Sequence, residues 1–406
     1  MPFRSANTSL SGSLSRRNFL RAAAASSALA GLPFVSESYL AHAAIPKFAP
    51  SDQGIHIDAN ENPMGPSEGA RQAIAAMIPK GGRYLFDKEA GLSELFAHQQ
   101  GLDPEMVVAY AGSSEPLHLT VLAFCSPIRP LVVADPTYEA PTWAAQAAQA
   151  PILKVPLADP KGAATHDMKA MRMASKTPGV IYICNPNNPT GTTTPFAEIE
   201  ETIDQLPNGS VALVDEAYIH FTEMPSCIGL VKQGKNVLVL RTFSKLYGMA
   251  GIRMGFLIGR PDLLQKVTPL GGQNPLPITA VAAAKASLLD SELVPSRRKI
   301  MASLREENIG FLRSHGYAVT PSVSNCFMLN VRRPGGQVQA ALAQKEIYIG
   351  RVWPAWPDSV RITVGTDSEM AAFRKAFLEV MPTDTADLEP APLHPRLRRT
   401  PFSHLS

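Results

Sequence analysis

The segment NVLVLRTFSKLYGMAGIRMGFLIG, residues 236–259, places Lys245 between two apolar runs of the kind that form buried strands. Arg253 follows eight positions later in the same polar interruption. An ammonium group beside buried strands is costly unless it is paired or chemically used, because burial disfavours its charged form. Taken alone, a Ser-Lys pair more often marks a surface lysine at a strand end, so the rest of the chain must decide the role of Lys245.

The composition is that of an ordinary globular protein. The chain has 406 residues, 45% of them hydrophobic and 18% charged, which allows a sizeable core and more than one domain. Of its 38 basic and 35 acidic side chains, four basic and one acidic lie in residues 1–43, so the remaining chain holds 34 of each. This neutral body does not carry the basic footprint of a nucleic-acid-binding protein.

The first 43 residues are typical of an export signal. Paired arginines precede a short, alanine-rich apolar run and the small-residue site AHA, which ends at Ala43. The run from Ala22 to Val35 is shorter than the about 20 apolar residues that a membrane span needs. The motif SRRNFLR, residues 15–21, resembles the twin-arginine signal, which implies the twin-arginine export machinery as a partner and a periplasmic or otherwise exported protein. The alternative is a basic amphipathic N-terminus without an export role.

The cysteines and histidines do not indicate a metal site. Export would place Cys125, Cys184, Cys227 and Cys326 in an oxidising compartment, yet Cys125 ends a helical apolar run and two others lie in or beside strand-like segments. We therefore expect buried free thiols. The nine histidines form no ligand cluster, so no metal is predicted.

Short apolar runs alternate with helical periodicity along residues 81–269. The strand-like runs are EMVVAY, PLVVAD, PILKVPL, GVIYIC, VALVDE, NVLVLRTF and GFLIG. This alternation predicts an α/β fold with a large domain, in which a mostly parallel seven-stranded sheet is covered by helices.

The pattern changes after about Pro269. A long helical stretch is followed by two short strands and a last helix near 367–380. We expect a smaller α+β domain at 270–382, and residues 44–80 are interpreted as an N-terminal arm and a segment of that domain. The proline-rich segment 383–406 has little periodicity and is predicted to be a disordered tail.

Polar side chains gather where the predicted strands end. They include Gly112, Ser113, Ser114, Asn188, Asp215 and Tyr218. The first three open a helix and aim free amides at an anion such as phosphate, although a serine-capped helix needs no ligand. A carboxylate at the end of a buried strand, such as Asp215, requires a cationic or hydrogen-bonding partner.

These groups together match the needs of pyridoxal 5′-phosphate. Their order resembles the fold type I aminotransferases, and most of all the histidinol-phosphate aminotransferase family. Asp215 lies 27 residues after Asn188, and Tyr218 lies three residues further on. Lys245 follows Asp215 by 30 residues and precedes Arg253 by eight. The resemblance extends from DANENPMGP, which begins at residue 58, to RITVGT, which ends at residue 366.

The resemblance implies a role for each of these residues. Lys245 would bind the cofactor through a Schiff base and then move a proton as base and acid. Asp215 would pair with the pyridinium nitrogen, while Asn188 and Tyr218 would hydrogen-bond the ring hydroxyl. Tyr138 would stack on the ring, although a tyrosine beside a proline turn is more often plain packing.

The cofactor phosphate would be bound by Arg253, Thr242, Ser244 and the amides of residues 112–114. Tyr84 matches a family tyrosine that reaches the cofactor of the neighbouring subunit, which implies a homodimer. The family usually has proline after that tyrosine, where this chain has Leu85.

Arg361 resembles the arginine that binds the acidic group of the substrate, and Arg351 resembles a second contact for the phosphate of histidinol phosphate. Arg351 could equally cover apolar surface on a strand edge. Asn60 lies where the N-terminal arm of the family approaches the substrate.

The implied reaction moves an amino group from a small-molecule donor to a 2-oxo acid such as 2-oxoglutarate. Histidinol phosphate is one candidate donor, but histidine synthesis is cytoplasmic and the leader indicates export. Amino acids with an apolar or aromatic side chain are the other candidates, with Trp353 and Trp356 available as a wall. A lyase or decarboxylase that uses the same lysine, or a non-catalytic binding module, remains an alternative.

Overall fold

The computed structural model describes Glu37, residues 54–272 and residues 275–381. Most of the predicted signal segment and the whole predicted C-terminal tail lie outside these residues. No helix within the described ranges is long and apolar enough to cross a membrane. The four cysteines are free and buried.

The described chain alternates strands and helices through most of its length. The strands are β1 (Ile55–Ile57), β2 (Val107–Tyr110), β3 (Leu131–Asp135), β4 (Ile152–Pro156), β5 (Val180–Cys184), β6 (Val211–Asp215), β7 (Val237–Thr242), β8 (Gly255–Gly259), β9 (Cys326–Asn330), β10 (Ile347–Ile349) and β11 (Ser359–Thr363). The α-helices are α1 (Glu68–Met77), α2 (Phe86–Gln100), α3 (Ser114–Phe124), α4 (Ala140–Ala147), α5 (Met168–Met173), α6 (Phe196–Asp204), α7 (Ile228–Lys232), α8 (Pro261–Val267), α9 (Ile278–Leu289), α10 (Leu293–Ser314), α11 (Gly335–Ala343) and α12 (Asp367–Val380).

Seven strands form one sheet in the order β2-β8-β7-β6-β5-β3-β4. Strand β8 is antiparallel to both of its neighbours, and the other pairs are parallel. Tyr182 and Leu213 pack into an apolar cluster on one face, while Ile181 and Val214 pack into a second cluster. Strands buried on both faces need continuous apolar sequences, as in β5, β6 and β8, whereas the edge strand β4 exposes Lys154. The predicted mostly parallel, helix-covered sheet is confirmed.

Two smaller sheets lie outside the central one. Strand β9 pairs with β11 in antiparallel fashion, and β1 pairs with β10 in parallel. The long helical stretch predicted after Pro269 is two helices, α9 and α10. The break follows from Asp290, whose Oδ1 accepts hydrogen bonds from the amides of Glu292 and Leu293 and so begins α10 afresh.

Candidate active site

The carboxyl ends of three adjacent strands open into one cavity of about 220 Å³. Strands β5, β6 and β7 lie side by side, and Asn188, Asp215 and Lys245 follow or end them. All three residues line the cavity. Parallel strands bring their ends to the same edge of a sheet, so residues distant in sequence meet there.

Lys245 is buried against the base of this cavity. Its side chain is within 3.4 Å of the carbonyl of Ala59, and its Nζ lies 5.7 Å from the centre of the Tyr218 ring. Burial lowers the pKa of Lys245, and nearby Glu37 partly opposes this shift. A lysine with a lowered pKa supplies the neutral amine that nucleophilic and proton-transfer chemistry needs.

Asp215 ends β6 and is held by two donors. The Tyr182 hydroxyl donates to Oδ2 at 2.9 Å, and the amide of Ala217 donates to Oδ1 at 3.0 Å. Burial raises the pKa of Asp215 to about 6, although both hydrogen bonds act in the opposite direction. Its carboxylate is therefore ionised above about pH 6 and ready to pair with a cationic ring nitrogen.

An anion-binding cradle lies at the start of α3. Ser113 and Ser114 line the cavity together with Thr242, Ser244 and Arg253, as the phosphate prediction requires. Arg253 donates to the Ser244 hydroxyl at 3.1 Å, and the Thr242 hydroxyl donates to the same oxygen at 2.9 Å. The cradle combines a guanidinium, hydroxyls and helix amides, which is the chemistry that recognises a phosphate.

Gly112 allows Arg253 to approach the cradle backbone. Its φ is +89°, and a Cβ atom added there would lie 2.2 Å from Nη2 of Arg253. A side chain at this position would push the guanidinium away and strain the turn. Gly112 does not line the cavity itself. Its contribution is therefore the space that its missing side chain leaves for Arg253.

Tyr218 and Asn188, which are predicted to bind the ring hydroxyl, each form a hydrogen bond with another predicted site residue. Asn60 donates to the Tyr218 hydroxyl at 2.9 Å, which places the arm residue Asn60 in the site. Asn188 accepts a hydrogen bond from Arg361 at 2.9 Å. Tyr138 is 8% exposed and lines the same cavity, as expected for a residue that stacks on a ring.

The two arginines predicted for the substrate acidic group lie together. The guanidinium carbons of Arg351 and Arg361 lie 4.5 and 5.4 Å from the centre of the Trp353 ring. Both arginines are buried, and Trp353 is fixed by a 2.9 Å hydrogen bond to the carbonyl of Thr137. The tryptophan therefore supports the guanidiniums through cation–π contact.

Two glutamates that sequence reasoning did not single out contact these arginines. Glu139 binds Arg351, with 2.7 Å between Oε2 and Nη2. Glu37 binds both, with 2.7 Å from its Oε1 to Arg351 and to Arg361. Neither contact leaves a sequence signal, because each joins segments that are far apart in the chain. Tyr182 was also missed, since a tyrosine inside a buried strand reads as packing.

Tyr84 lies away from the cavity of its own chain. Its side chain is 70% exposed, next to the exposed Phe86 with 5.6 Å between ring centres. Leu85 has a left-handed backbone, with φ of 51°, and precedes the first residue of α2. An exposed tyrosine is compatible with a contact to a second subunit, and this role stays a prediction.

Comparison with known proteins identifies the family. The profile of the family "Aminotransferase class I and II" covers residues 53–377. The chain belongs to this family. The match spans the central sheet, both small sheets and most of α12, so all predicted site residues fall within it. Members of this aminotransferase family use pyridoxal 5′-phosphate, and the chain is a transaminase.

Relatives of this aminotransferase include enzymes of two substrate classes. It is 30% identical to histidinol-phosphate aminotransferase of Moorella thermoacetica over 80% of this chain and 85% of that protein. It is 33% identical to aromatic amino acid aminotransferase of Rhodococcus jostii over 81% of this chain and 92% of that protein. The structure of histidinol-phosphate aminotransferase from Sinorhizobium meliloti with pyridoxal 5′-phosphate is similar, with a TM-score of 0.76 at 24% identity. The match covers 87% of this chain and 96% of that chain, and it shows the fold.

The residues of this aminotransferase fit its cofactor. The cleft at Gly112 admits the Arg253 guanidinium to the phosphate cradle, and Asp215 and the buried Lys245 line the same cavity. Bound pyridoxal 5′-phosphate supplies an electron-withdrawing ring that stabilises charge at the substrate α-carbon. In the roles predicted for them, Lys245 would hold or move the proton at that carbon, and the arginines would hold the acidic group.

Proposed function

We propose that this aminotransferase takes its amino group from an α-amino acid, with an aromatic or apolar side chain, in preference to histidinol phosphate, and passes it to a 2-oxo acid. The observation that carries the proposal is the pairing of Arg351 with Glu139 at 2.7 Å. A 2-oxo acid acceptor carries the same carboxylate as an amino acid, so one subsite serves both half-reactions. The Rhodococcus relative supports the aromatic class.

Arg351, Arg361 and Asn188 together form what we call the arginine subsite, and their hydrogen-bond donors fit a carboxylate. Glu139 occupies the Nη2 and Nε edge of Arg351, at 2.7 and 3.5 Å, which leaves Nη1 for a ligand. Arg361 uses Nη1 on Asn188, while its Nη2 reaches the carbonyl of Asp58 and Glu37. Three donors thus face an anion: Nη1 of Arg351, Nη2 of Arg361 and the amide of Asn188. Two carboxylate oxygens satisfy them, whereas a third phosphate oxygen would need a donor beyond these three.

The charge of the subsite supports the same conclusion. Arg351 and Arg361 contribute two positive charges, and Glu139 removes one. A net single positive charge balances a carboxylate, whereas a phosphate monoester carries about −1.5 to −2 at neutral pH. Excess negative charge is costly in a buried site, because water does not screen it.

The test is a screen of amino donors with the enzyme loaded with pyridoxal 5′-phosphate. Stopped-flow spectra would follow conversion of the cofactor by phenylalanine, tyrosine, tryptophan, aspartate, glutamate and histidinol phosphate. We expect an aromatic amino acid to give the highest kcat/KM. In Glu139→Gln the ratio of histidinol phosphate to amino-acid kcat/KM should rise by about tenfold, the effect of one charge in a partly buried site.

Glu198→Gln is the matched control, because Glu198 is exposed on α6 and lies outside the cavity. It should leave the ratio unchanged. A wild-type preference for histidinol phosphate, or an unchanged ratio in Glu139→Gln, would contradict the proposed donor class while leaving transamination intact.

We further propose that the chain is exported by the twin-arginine route and acts as a homodimer. The arginine pair at residues 16 and 17 and the AHA site support the first proposal, and the exposed Tyr84 supports the second. Replacing both arginines with lysine should retain the protein in the cytoplasm, as cell fractionation would detect. Export of that variant at the wild-type level would contradict this route.

A further inference from the structure

Glu37 occupies the subsite that the proposed function assigns to the substrate carboxylate. Its Oε1 lies 2.7 Å from Nη1 of Arg351 and 2.7 Å from Nη2 of Arg361. Its Oε2 accepts a hydrogen bond from Asn188 at 3.2 Å. Glu37 lines the same cavity as Lys245. The carboxylate of Glu37 therefore uses the three donors that an amino-acid carboxylate would need.

The contact is an ion pair that is largely shielded from water. The Glu37 side chain is 12% exposed, while those of Arg351 and Arg361 are 7% and 0% exposed. Burial favours the neutral acid, but the two arginines outweigh it and hold the pKa of Glu37 far below its ordinary value. The group is an anion at any assay pH, as a substrate carboxylate is.

Arg361 shows that the subsite needs a ligand of this charge. Within the described ranges, Glu37 is the carboxylate that forms an ion pair with Arg361, and the other partners of that guanidinium are the neutral Asn188 side chain and the Asp58 carbonyl. A buried guanidinium without a counter-ion is unfavourable. When Glu37 is withdrawn, an incoming carboxylate replaces the lost charge.

We propose that Glu37 is an intramolecular competitor of the substrate, so that the chain is latent while Glu37 is bound and gains affinity for carboxylate substrates when Glu37 is withdrawn or removed. This rests on the proposed function of the arginine subsite. Glu37 lies on the same chain, so its concentration at the subsite is set by the tether and not by the protein concentration. A substrate binds the free fraction alone, which raises its apparent dissociation constant in proportion.

The position of Glu37 suggests how latency would end. It lies six residues before Ala43, inside the segment predicted to be an export signal. Cleavage after Ala43 would remove the competitor together with the signal. The precursor would then turn over little cytoplasmic amino acid, and activity would follow export.

The test uses the full-length chain loaded with pyridoxal 5′-phosphate. Glu37→Gln keeps the size of the side chain and removes its charge, while Glu37→Asp keeps the charge on a shorter arm. The half-saturating concentration of phenylalanine and of glutamate should fall by at least about tenfold in Glu37→Gln, with the limiting rate unchanged within about twofold. The half-saturating concentrations of Glu37→Asp should lie between those of Glu37→Gln and wild type.

Binding without chemistry gives a second measurement. Calorimetry with 3-phenylpropionate, a carboxylate that has no amino group, should show the same gain of affinity in Glu37→Gln. Glu68→Gln is the charge-matched control, because Glu68 is exposed at the start of α1, and it should behave as wild type.

The outcomes separate this inference from the proposed function. The inference alone would be overturned if wild type and Glu37→Gln both transaminate, with equal half-saturating concentrations and equal affinity for 3-phenylpropionate. Weaker substrate binding in Glu37→Gln would overturn it too, since Glu37 would then assist the substrate. Preference for histidinol phosphate in every variant would contradict the proposed donor class instead.

Discussion

At the scale of single residues, the chemistry of Asp215 depends on a neighbour in the adjacent strand. Tyr182 of β5 donates its hydroxyl to Oδ2 of Asp215 at 2.9 Å. This bond stabilises the carboxylate and fixes its orientation, which matters because burial alone pushes the pKa of Asp215 upward. We therefore expect Tyr182 to position Asp215, the residue predicted to pair with the cofactor ring.

We expect Tyr182→Phe to weaken binding of pyridoxal 5′-phosphate by about 10- to 100-fold, since hydrogen bonds to charged groups contribute about 1.5–3 kcal/mol. The pH below which cofactor affinity falls should also move upward, because Asp215 loses a group that lowers its pKa. Fluorescence titration of the apoenzyme from pH 5 to 9 measures both. Tyr247→Phe, a buried tyrosine outside the cavity, should retain wild-type affinity. An unchanged pH profile in Tyr182→Phe would reject the positioning role.

A second prediction concerns stability of the apoenzyme against pH. The pKa of Asp215 is raised from 3.8 to about 6 on folding, so between these values the folded state keeps a proton that the unfolded state has lost. The contribution of Asp215 to stability therefore falls as pH rises from about 4 to 6. Asp215→Asn should match wild type near pH 4 and exceed it by about 3 kcal/mol above pH 7.

Urea unfolding of the apoenzyme at several pH values measures this difference. Asp262→Asn is a control of opposite sign, because Arg260 lowers the pKa of the exposed Asp262 and its contribution is lost at low pH. A stability difference for Asp215→Asn that does not grow with pH would contradict the prediction.

The sequence carried the reactive residues of the site but not their supports. Lys245, Asp215 and Asn188 follow strand ends at a spacing that the apolar runs made visible. Glu139 and Glu37 meet Arg351 across 212 and 314 positions of the chain. A contact of that separation is created by folding, so local periodicity could not indicate it.

At the scale of elements, the inner strands β5, β6 and β7 were predictable because they are buried throughout and read as largely apolar runs, whereas the edge strand β4 exposes Lys154. The three-residue strands β1 and β10 were not predicted, since so short a pairing leaves no periodic pattern. The break between α9 and α10 was also missed, because the apolar spacing continues across Asp290. The start of α3 was predicted correctly, and its function depends on the glycine before it.

We expect Gly112→Ala to displace Arg253 from the phosphate cradle, since the added Cβ would lie 2.2 Å from Nη2. Affinity for pyridoxal 5′-phosphate should fall by about 10- to 100-fold, the value of charge-assisted hydrogen bonds. Affinity for pyridoxal, which has no phosphate, should change little. Comparing the two ligands by fluorescence titration separates loss of the cradle from general misfolding, which would weaken both.

Gly69→Ala is the matched control for this element. Gly69 lies in α1 with nothing within 4 Å of an added Cβ, so alanine should leave both affinities unchanged and raise thermal stability slightly. Equal losses for both ligands in Gly112→Ala would reject the cradle mechanism.

At the scale of the whole molecule, three exposed apolar side chains support the proposed homodimer. Ile78, Tyr84 and Phe86 are 64%, 70% and 64% exposed over a short stretch of chain. Apolar side chains clustered on a surface are typical of interaction sites. If Tyr84 completes the cavity of the partner subunit, each active site draws residues from two chains, and neither chain is competent alone.

Mixed dimers test this arrangement directly. Lys245→Ala removes the reactive amine, and Tyr84→Ala removes the residue offered to the partner, so each homodimer should be weak or inactive. In a mixed dimer one site lacks both groups, while the other has its own Lys245 and receives an intact Tyr84. Random assembly of equal amounts should restore about a quarter of wild-type activity, because half of the dimers are mixed and half of their sites are intact.

Two differently tagged chains, co-expressed and purified through both tags, would give the mixed dimer alone and about half of wild-type activity. Lys245→Ala mixed with Asp215→Asn is the control, because both residues serve the cavity of their own chain and each site of that dimer keeps one defect. When the Tyr84→Ala homodimer is itself impaired, recovery in the Tyr84 pair and not in the control follows from a shared site. Equal activity in the two mixtures would show that Tyr84 serves its own chain, and a fully active Tyr84→Ala homodimer would show that it serves neither site.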